Sequence, residues 1–290
     1  MKIITVRKMN AGNNRKHYQR FDGFSRFLHI LVIISFLTLA LTGMIIKFSG
    51  VGAFQVISDI MGGYAVTGYL HRVAAIITFL YFALHVGYLI RKLRRKEMTF
   101  KEMLSGENSL VPNKRDLKEV GQTIKWFVGA GPRPQYGRWT YWEKFDYFAV
   151  FWGVAMIGAS GLILWFPEFF TALGLPGWFI NVATIIHSDE ALLAAGFIFS
   201  FHFYNTHFRP DKFPMDPVIF TGTVELEELK YDRPREYEYH IEKDKDFEKK
   251  LVSPPPQWFV NLSRAFGFTA LFIGISIIIL IIYSMIFLYQ

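Results

Sequence analysis

The chain has 290 residues, of which 52% are hydrophobic and 18% aromatic, with a formal net charge of +8 and no cysteine. Without thiols it can form no disulfide, cysteine-ligated iron–sulfur cluster or thioether-attached haem, so any redox centre must rest on histidine or methionine or belong to a partner. The excess positive charge sits beside long apolar runs rather than along one soluble face, which reads as a membrane-topology signal and argues against nucleic acid as a partner.

Residues 1–23 are polar and basic (Lys2, Arg7, Lys8, Arg15, Lys16, Arg20) and lack the apolar centre of a secretory signal, so they are expected to stay in the cytoplasm. Apolar runs at about 24–48 and 64–90 predict two membrane spans joined by a short outer loop, and Arg91, Lys92, Arg94, Arg95 and Lys96 close the second on the cytoplasmic side. A basic loop over 93–140 leads to a third span at about 145–166, which Pro167 ends. An interfacial turn over 168–181 with Trp178 as anchor leads to a fourth span ending at Phe208. The segment 209–256 is dense in both charges, and SPPPQW at 253–258 precedes a fifth span at about 261–288. The expectation is an all-α polytopic protein: a four-helix bundle over 24–208, a charged cytoplasmic segment over 209–256 and a fifth helix within 257–290. The N-terminus would be inside and the C-terminus outside.

Within these spans lie histidines that an apolar environment does not ordinarily tolerate. His187 and His202 are fifteen residues apart, roughly 22 Å of helical rise, and His71 and His85 fourteen apart, roughly 21 Å. On the predicted topology His71 and His187 share the outer depth and His85 and His202 the inner one, while His29 also reaches the inner level. Helices carrying histidines at two depths have the spacing to hold two stacked haems. A short internal repeat accompanies them, LTGMII at 41–46 and ASGLIL at 159–164, each followed by a helix with two widely spaced histidines. Arg26 and Arg72 are candidate partners for haem propionates, and small residues such as Gly161 could admit a porphyrin face or simply bring helices close. His17 and His240 fall in charged loops and read as solvated.

Together, Arg26-x-x-His29, Thr42-Gly43, His71 opening the second span, the stretch from Lys144 to Trp152 with Gly161 and Trp165-x-Pro167, and His187 with His202 resemble the cytochrome b subunits of formate dehydrogenase, thiosulfate reductase and nickel–iron hydrogenase. The resemblance covers about residues 20–210. It implies an outer haem b between His71 and His187, an inner haem b between His29 and His202, and a quinone site beside the inner one. The closing stretch THFRPDKFPMDPVIFTG, from Thr206 at the end of the fourth span, looks more like the members associated with multihaem c-type cytochromes. The fifth span, His85 and His207 depart from the two-haem pattern. Spacing alone would pair His85 with His202, and six histidines could hold a third haem.

The reading is a membrane-anchor cytochrome b in a prokaryotic cytoplasmic (inner) membrane. It would be the electron-transfer subunit of a quinone-linked oxidoreductase, passing electrons between a quinone or menaquinone pool and an iron–sulfur or multihaem cytochrome c subunit. The expected quinone site lies at the cytoplasmic level among Trp139, Tyr141, Trp142, Glu143, Lys144 and His207. Asp189 and Glu190, within a turn of His187, are proton acceptors for a competing site at the outer face. The rival classes are a histidine-lined proton or metal-ion transporter and a cofactor-free structural anchor.

Overall fold

The computed structural model describes residues 16–243 and 247–287; the basic residues Lys2, Arg7, Lys8 and Arg15 and the last residue of the expected fifth span lie outside them. The chain runs β1 (His17–Gln19), α1 (Gly23–Lys47), α2 (Gly52–Ile60), α3 (Tyr64–Arg94), α4 (Phe100–Ser105), α5 (Lys114–Phe127), α6 (Tyr141–Trp165), α7 (Pro167–Ala172) and α8 (Trp178–Phe197). Two consecutive π-helical segments, Ile198–His202 and Tyr204–Phe208, extend α8. Then come α9 (Val218–Thr221), β2 (Thr223–Glu225), α10 (Leu226–Asp232), α11 (Pro234–Lys243), a short 3₁₀ turn, β3 (Leu251–Val252) and α12 (Gln257–Phe287). Among the described residues five helices are long and apolar enough to cross a membrane: α1, α3, α6, α8 with its extension, and α12.

Local chemistry sets the helix starts. The Asp22 carboxylate accepts from the Ser25 N–H at 2.7 Å and caps α1. Thr140 and Glu143 form a capping box at α6, so that span begins four residues earlier than the apolar run suggested. α1 packs mainly on α3, and α6 on α8, giving two antiparallel hairpins. α12 lies outside them, where Ile277 and Ile281 share a core with Ala40, Met44, Phe199 and Phe203.

Several sequence expectations change. The connection after α1 is a helix, α2, whose Phe54 is fully buried. Pro167 ends α6 and also opens α7, since proline at the first helical position gives up no needed hydrogen bond. The fourth span is α-helical only to Phe197; the wider turns beyond it re-phase every later side chain, so the angle estimated between His187 and His202 for a regular α-helix does not hold.

The charged segments form a folded cap at the end where α1 starts and α3 finishes. β1 pairs antiparallel with both β2 and β3 (Tyr18 opposite Val224 and Leu251), adding a small sheet to the helical bundle. Tyr18, Phe21, Val218, Val224 and Leu229 make a second core. His240 is buried in this cap, its ring 5.3 Å from that of Tyr18, and is not the solvated loop residue its neighbours in sequence suggested.

Buried ion pairs hold the cap to the bundle. Arg233 grips Glu143 with both guanidinium nitrogens, at 2.8 and 2.9 Å, and Lys144 meets Asp116 at 2.9 Å. Glu236 is met by Arg138 at 3.0 Å and Arg20 at 3.3 Å. Burial alone would raise the Glu236 carboxyl, but Arg20, His240 and Arg138 outweigh it and lower it from 4.5 to about 2. Its folded-state value is depressed, so its stabilisation is present above about pH 4.5 and is lost as the pH falls toward about 2. Near-ultraviolet dichroism of the cap should therefore show acid loosening over that window. A Glu236→Gln protein should lack this component and be less stable at neutral pH by on the order of 3 kcal/mol.

Candidate functional site

Between the two hairpins runs a cavity of 2120 Å³, which extends into the cap. Ordinary small-molecule pockets hold roughly 300–1,000 Å³. Its lining includes all six intramembrane histidines: His29, His71, His85, His187, His202 and His207.

His71, from the first hairpin, and His187, from the second, meet with ring centroids 6.1 Å apart and planes at 73°. The hydrogen bonds of each ring decide its tautomer. The Thr42 hydroxyl donates to the Thr38 carbonyl at 2.6 Å, so its oxygen accepts from His71 Nδ1–H at 2.9 Å. His187 Nδ1 is 2.9 Å from the Ile157 carbonyl, which can only accept. Both rings thus carry their proton on Nδ1 and leave the Nε2 lone pair available to a metal. The internal repeat now has a physical meaning. Thr42 and Ser160 occupy equivalent repeat positions, and Ser160 Oγ lies 3.5 Å from His187 Nδ1. The glycines that follow make room: a Cβ at Gly161 would stand 2.9 Å from His187 Cε1, and one at Gly43 3.4 Å from His71 Cε1.

Nearer the cap, His202 Nδ1–H donates to the Asp146 carboxylate at 2.9 Å, which leaves its Nε2 available too. His29 lines the same cavity, and its ring packs edge-on to Phe220 at 6.4 Å. His85 differs, because its Nε2 is already engaged by the Tyr147 hydroxyl at 2.8 Å, a contact that bridges the two hairpins. His207 is buried against Phe203 and Phe268 at the foot of α12. Among the described residues no three His, Asp or Glu side chains converge as a metal cluster.

The other candidates divide. Arg72 lines the cavity and lies over the Trp165 ring at 5.6 Å. Arg26 does not line it, because its Nε donates to the Phe220 carbonyl at 2.7 Å and its guanidinium covers Phe259. Trp139 and Trp142 line the cavity where it enters the cap, with Arg209 over Trp142 at 5.4 Å, whereas Tyr141 and Lys144 are not part of the lining. Glu143 borders the cavity but is held by Arg233. Three residues beyond His187, Glu190 lines the cavity and accepts from the Trp152 indole, midway along α6, at 3.3 Å, while Asp189 lies 3.6 Å from Lys47 and is largely exposed. Sequence reasoning missed Asp146 and Tyr147. The signal available was an ionisable residue inside an apolar helix, which is expensive unless it holds a functional partner.

Residues 5–106 match the family described as prokaryotic cytochrome b561. No curated protein matches the chain. The matched segment takes in α1 and α3, hence His29, Thr42, Gly43, His71 and His85, and it supports a membrane b-type cytochrome. The His71–His187 pair fits haem b. Two imidazoles sharing one metal through Nε2 at about 2 Å each have centroids about 6 Å apart, the spacing found for His71 and His187. Replacing Thr42 with Val keeps the volume but removes the acceptor that fixes the His71 tautomer. It should weaken haem binding at that level about 10- to 100-fold in a haem titration, and Thr42→Ser should restore it.

Proposed function

We propose that this chain is a membrane-anchor b-type cytochrome that carries electrons across a prokaryotic cytoplasmic membrane, between a quinone pool and a redox partner subunit. The observation that carries the reading is the pairing of His71 with His187 across the two hairpins, each with Nδ1–H committed and Nε2 left to coordinate. Haem b bound at each level supplies a one-electron iron couple. His71 and His187 would hold the outer haem. His202, oriented by Asp146, would hold the inner one with His29, since His85 Nε2 is occupied by Tyr147. Thr42, Ile157 and Ser160 fix ring orientation, and Arg72 offers a cation beside the outer level. The apolar walls exclude water and so help tune the potential. Arg91, Lys92, Arg94 and Arg95 end α3 at the cap, which favours a cytoplasmic cap and an outer end for α12. The partner would be an iron–sulfur or multihaem c-type subunit.

The quinone site is best supported at the cap-side mouth, where Trp139 and Trp142 flank the opening and Arg209 and His207 stand close by. A second reading rests on one observation: Glu190 faces the cavity with the Trp152 indole as its bonded partner, whereas Glu143 is tied up by Arg233. This would place quinol oxidation at the opposite face, with Glu190 taking the proton.

The purified protein should show a b-type α-band on dithionite reduction, and neither a transporter nor a cofactor-free anchor would. His71→Ala and His187→Ala should each lose one haem per chain; full haem content in both variants would defeat the assignment. His29→Ala should lose the inner haem and His85→Ala should keep it. The reverse result would transfer the role to His85, and three haems in the parent protein would replace the two-haem account.

For the quinone, Trp142→Ala should slow quinol-dependent haem reduction while Glu190→Gln leaves it unchanged. The opposite pattern would move the site to the far face and reverse the protein's contribution to the proton gradient.

A further inference from the structure

The helix α5 is amphipathic in the wrong sense for an ordinary cap helix. Its buried side is polar: Asp116 bonds Lys144, Glu119 pairs with Arg235 at 3.1 Å, and Thr123 Oγ lies 2.8 Å from the Tyr136 hydroxyl. Its outward side is apolar. Leu117 is 76% exposed, Ile124 59% and Val128 73%, and their spacings of seven and four residues put them on one stripe. Such a stripe is costly to leave in water, and a soluble cap would turn it inward.

Position and charge identify what covers it. Asp116 is tied to a lysine in the first turn of α6, so α5 is anchored at the level where that span begins. Lys114, Lys118 and Lys125 are all exposed and project about 60–100° from the apolar stripe, where their long stems can rise beside it and reach phosphate. The two acidic residues of the helix both point inward, leaving the outward and flanking faces without negative charge. A protein partner would not require this lysine flank. A lipid surface with anionic headgroups matches both the apolar stripe and the flanking charge.

We propose that α5 lies in the plane of the membrane–water boundary, with Leu117, Ile124 and Val128 on the acyl chains and Lys114, Lys118 and Lys125 on anionic lipid headgroups. The cap is thereby fastened to the bilayer at a second point, away from the five spanning helices.

Because the chain has no cysteine, a single introduced thiol reports one position only. The full-length protein carrying Ile124→Cys, and separately Gln122→Cys on the side of α5 away from the stripe, is labelled with an environment-sensitive fluorophore. Each is reconstituted into vesicles of phosphatidylcholine with and without phosphatidylglycerol. Brominated lipid should quench the Ile124 label several-fold more than the Gln122 label, iodide should show the reverse order, and phosphatidylglycerol should deepen the lipid quenching. Replacing Lys118 and Lys125 with Gln should abolish that added effect. An Ile124 label open to iodide overturns the proposal, as does one shielded from both quenchers, which would mean that protein covers the stripe. Equal lipid quenching at both positions overturns the orientation. If Ile124→Cys does not fold, Val128→Cys reads the same stripe.

Discussion

An imidazole in hydrocarbon must have its N–H bonded, and in this protein that requirement shapes the helix pairs around it. His71 and His187 each give their Nδ1 proton to a group on the neighbouring helix of the same hairpin, Thr42 for one and the Ile157 carbonyl for the other. Those bonds need close approach, which the repeat glycines Gly43 and Gly161 allow by leaving room for the two rings. They also determine which nitrogen is left over. A ring held by Nδ1 can coordinate only through Nε2, so satisfying a polar group and building a metal ligand become one event.

The two hairpins are alike in this logic but not in detail. Thr42 uses a side-chain oxygen where the second hairpin uses a backbone carbonyl with Ser160 further off. The level nearer the cap departs more: Asp146, a full carboxylate, replaces the hydroxyl and carbonyl acceptors of the other level. A carboxylate on Nδ1 makes Nε2 a stronger donor to a bound metal, which lowers the reduction potential of that metal relative to one held by hydroxyl-backed imidazoles. Were each level to hold a haem as proposed, the difference in backing would give the two levels different potentials even with the same prosthetic group.

Much of this was legible from spacing, because depth in a helix is simply residue count times rise. The five spans, the pairing of His71 with His187 and the repeat that serves them could all be read that way. Relations set by distant segments could not. Glu143 and Lys144 look like free titratable groups at a membrane boundary, and only the cap, returning ninety residues later with Arg233, shows that Glu143 is engaged. His240 and Tyr18 are over two hundred residues apart, and nothing local marks them as neighbours. The π-helical turns escaped for another reason: their apolar run has the composition of any α-helix, and the extra residue per turn leaves no periodic trace over ten residues.

The division of the ligands between hairpins bears on how such a protein is made. Each hairpin can insert as a self-contained pair of helices, since its backbone bonds and main packing are internal. If His71 with His187 and His29 with His202 hold the haems as proposed, neither hairpin carries both halves of a pair, for His29 and His71 come with the first and His187 and His202 with the second. A nascent chain that has completed only its first hairpin therefore offers single imidazoles. On that assignment, stable capture of the prosthetic group would wait for the second hairpin to arrive, and cofactor loading would fall late in biogenesis.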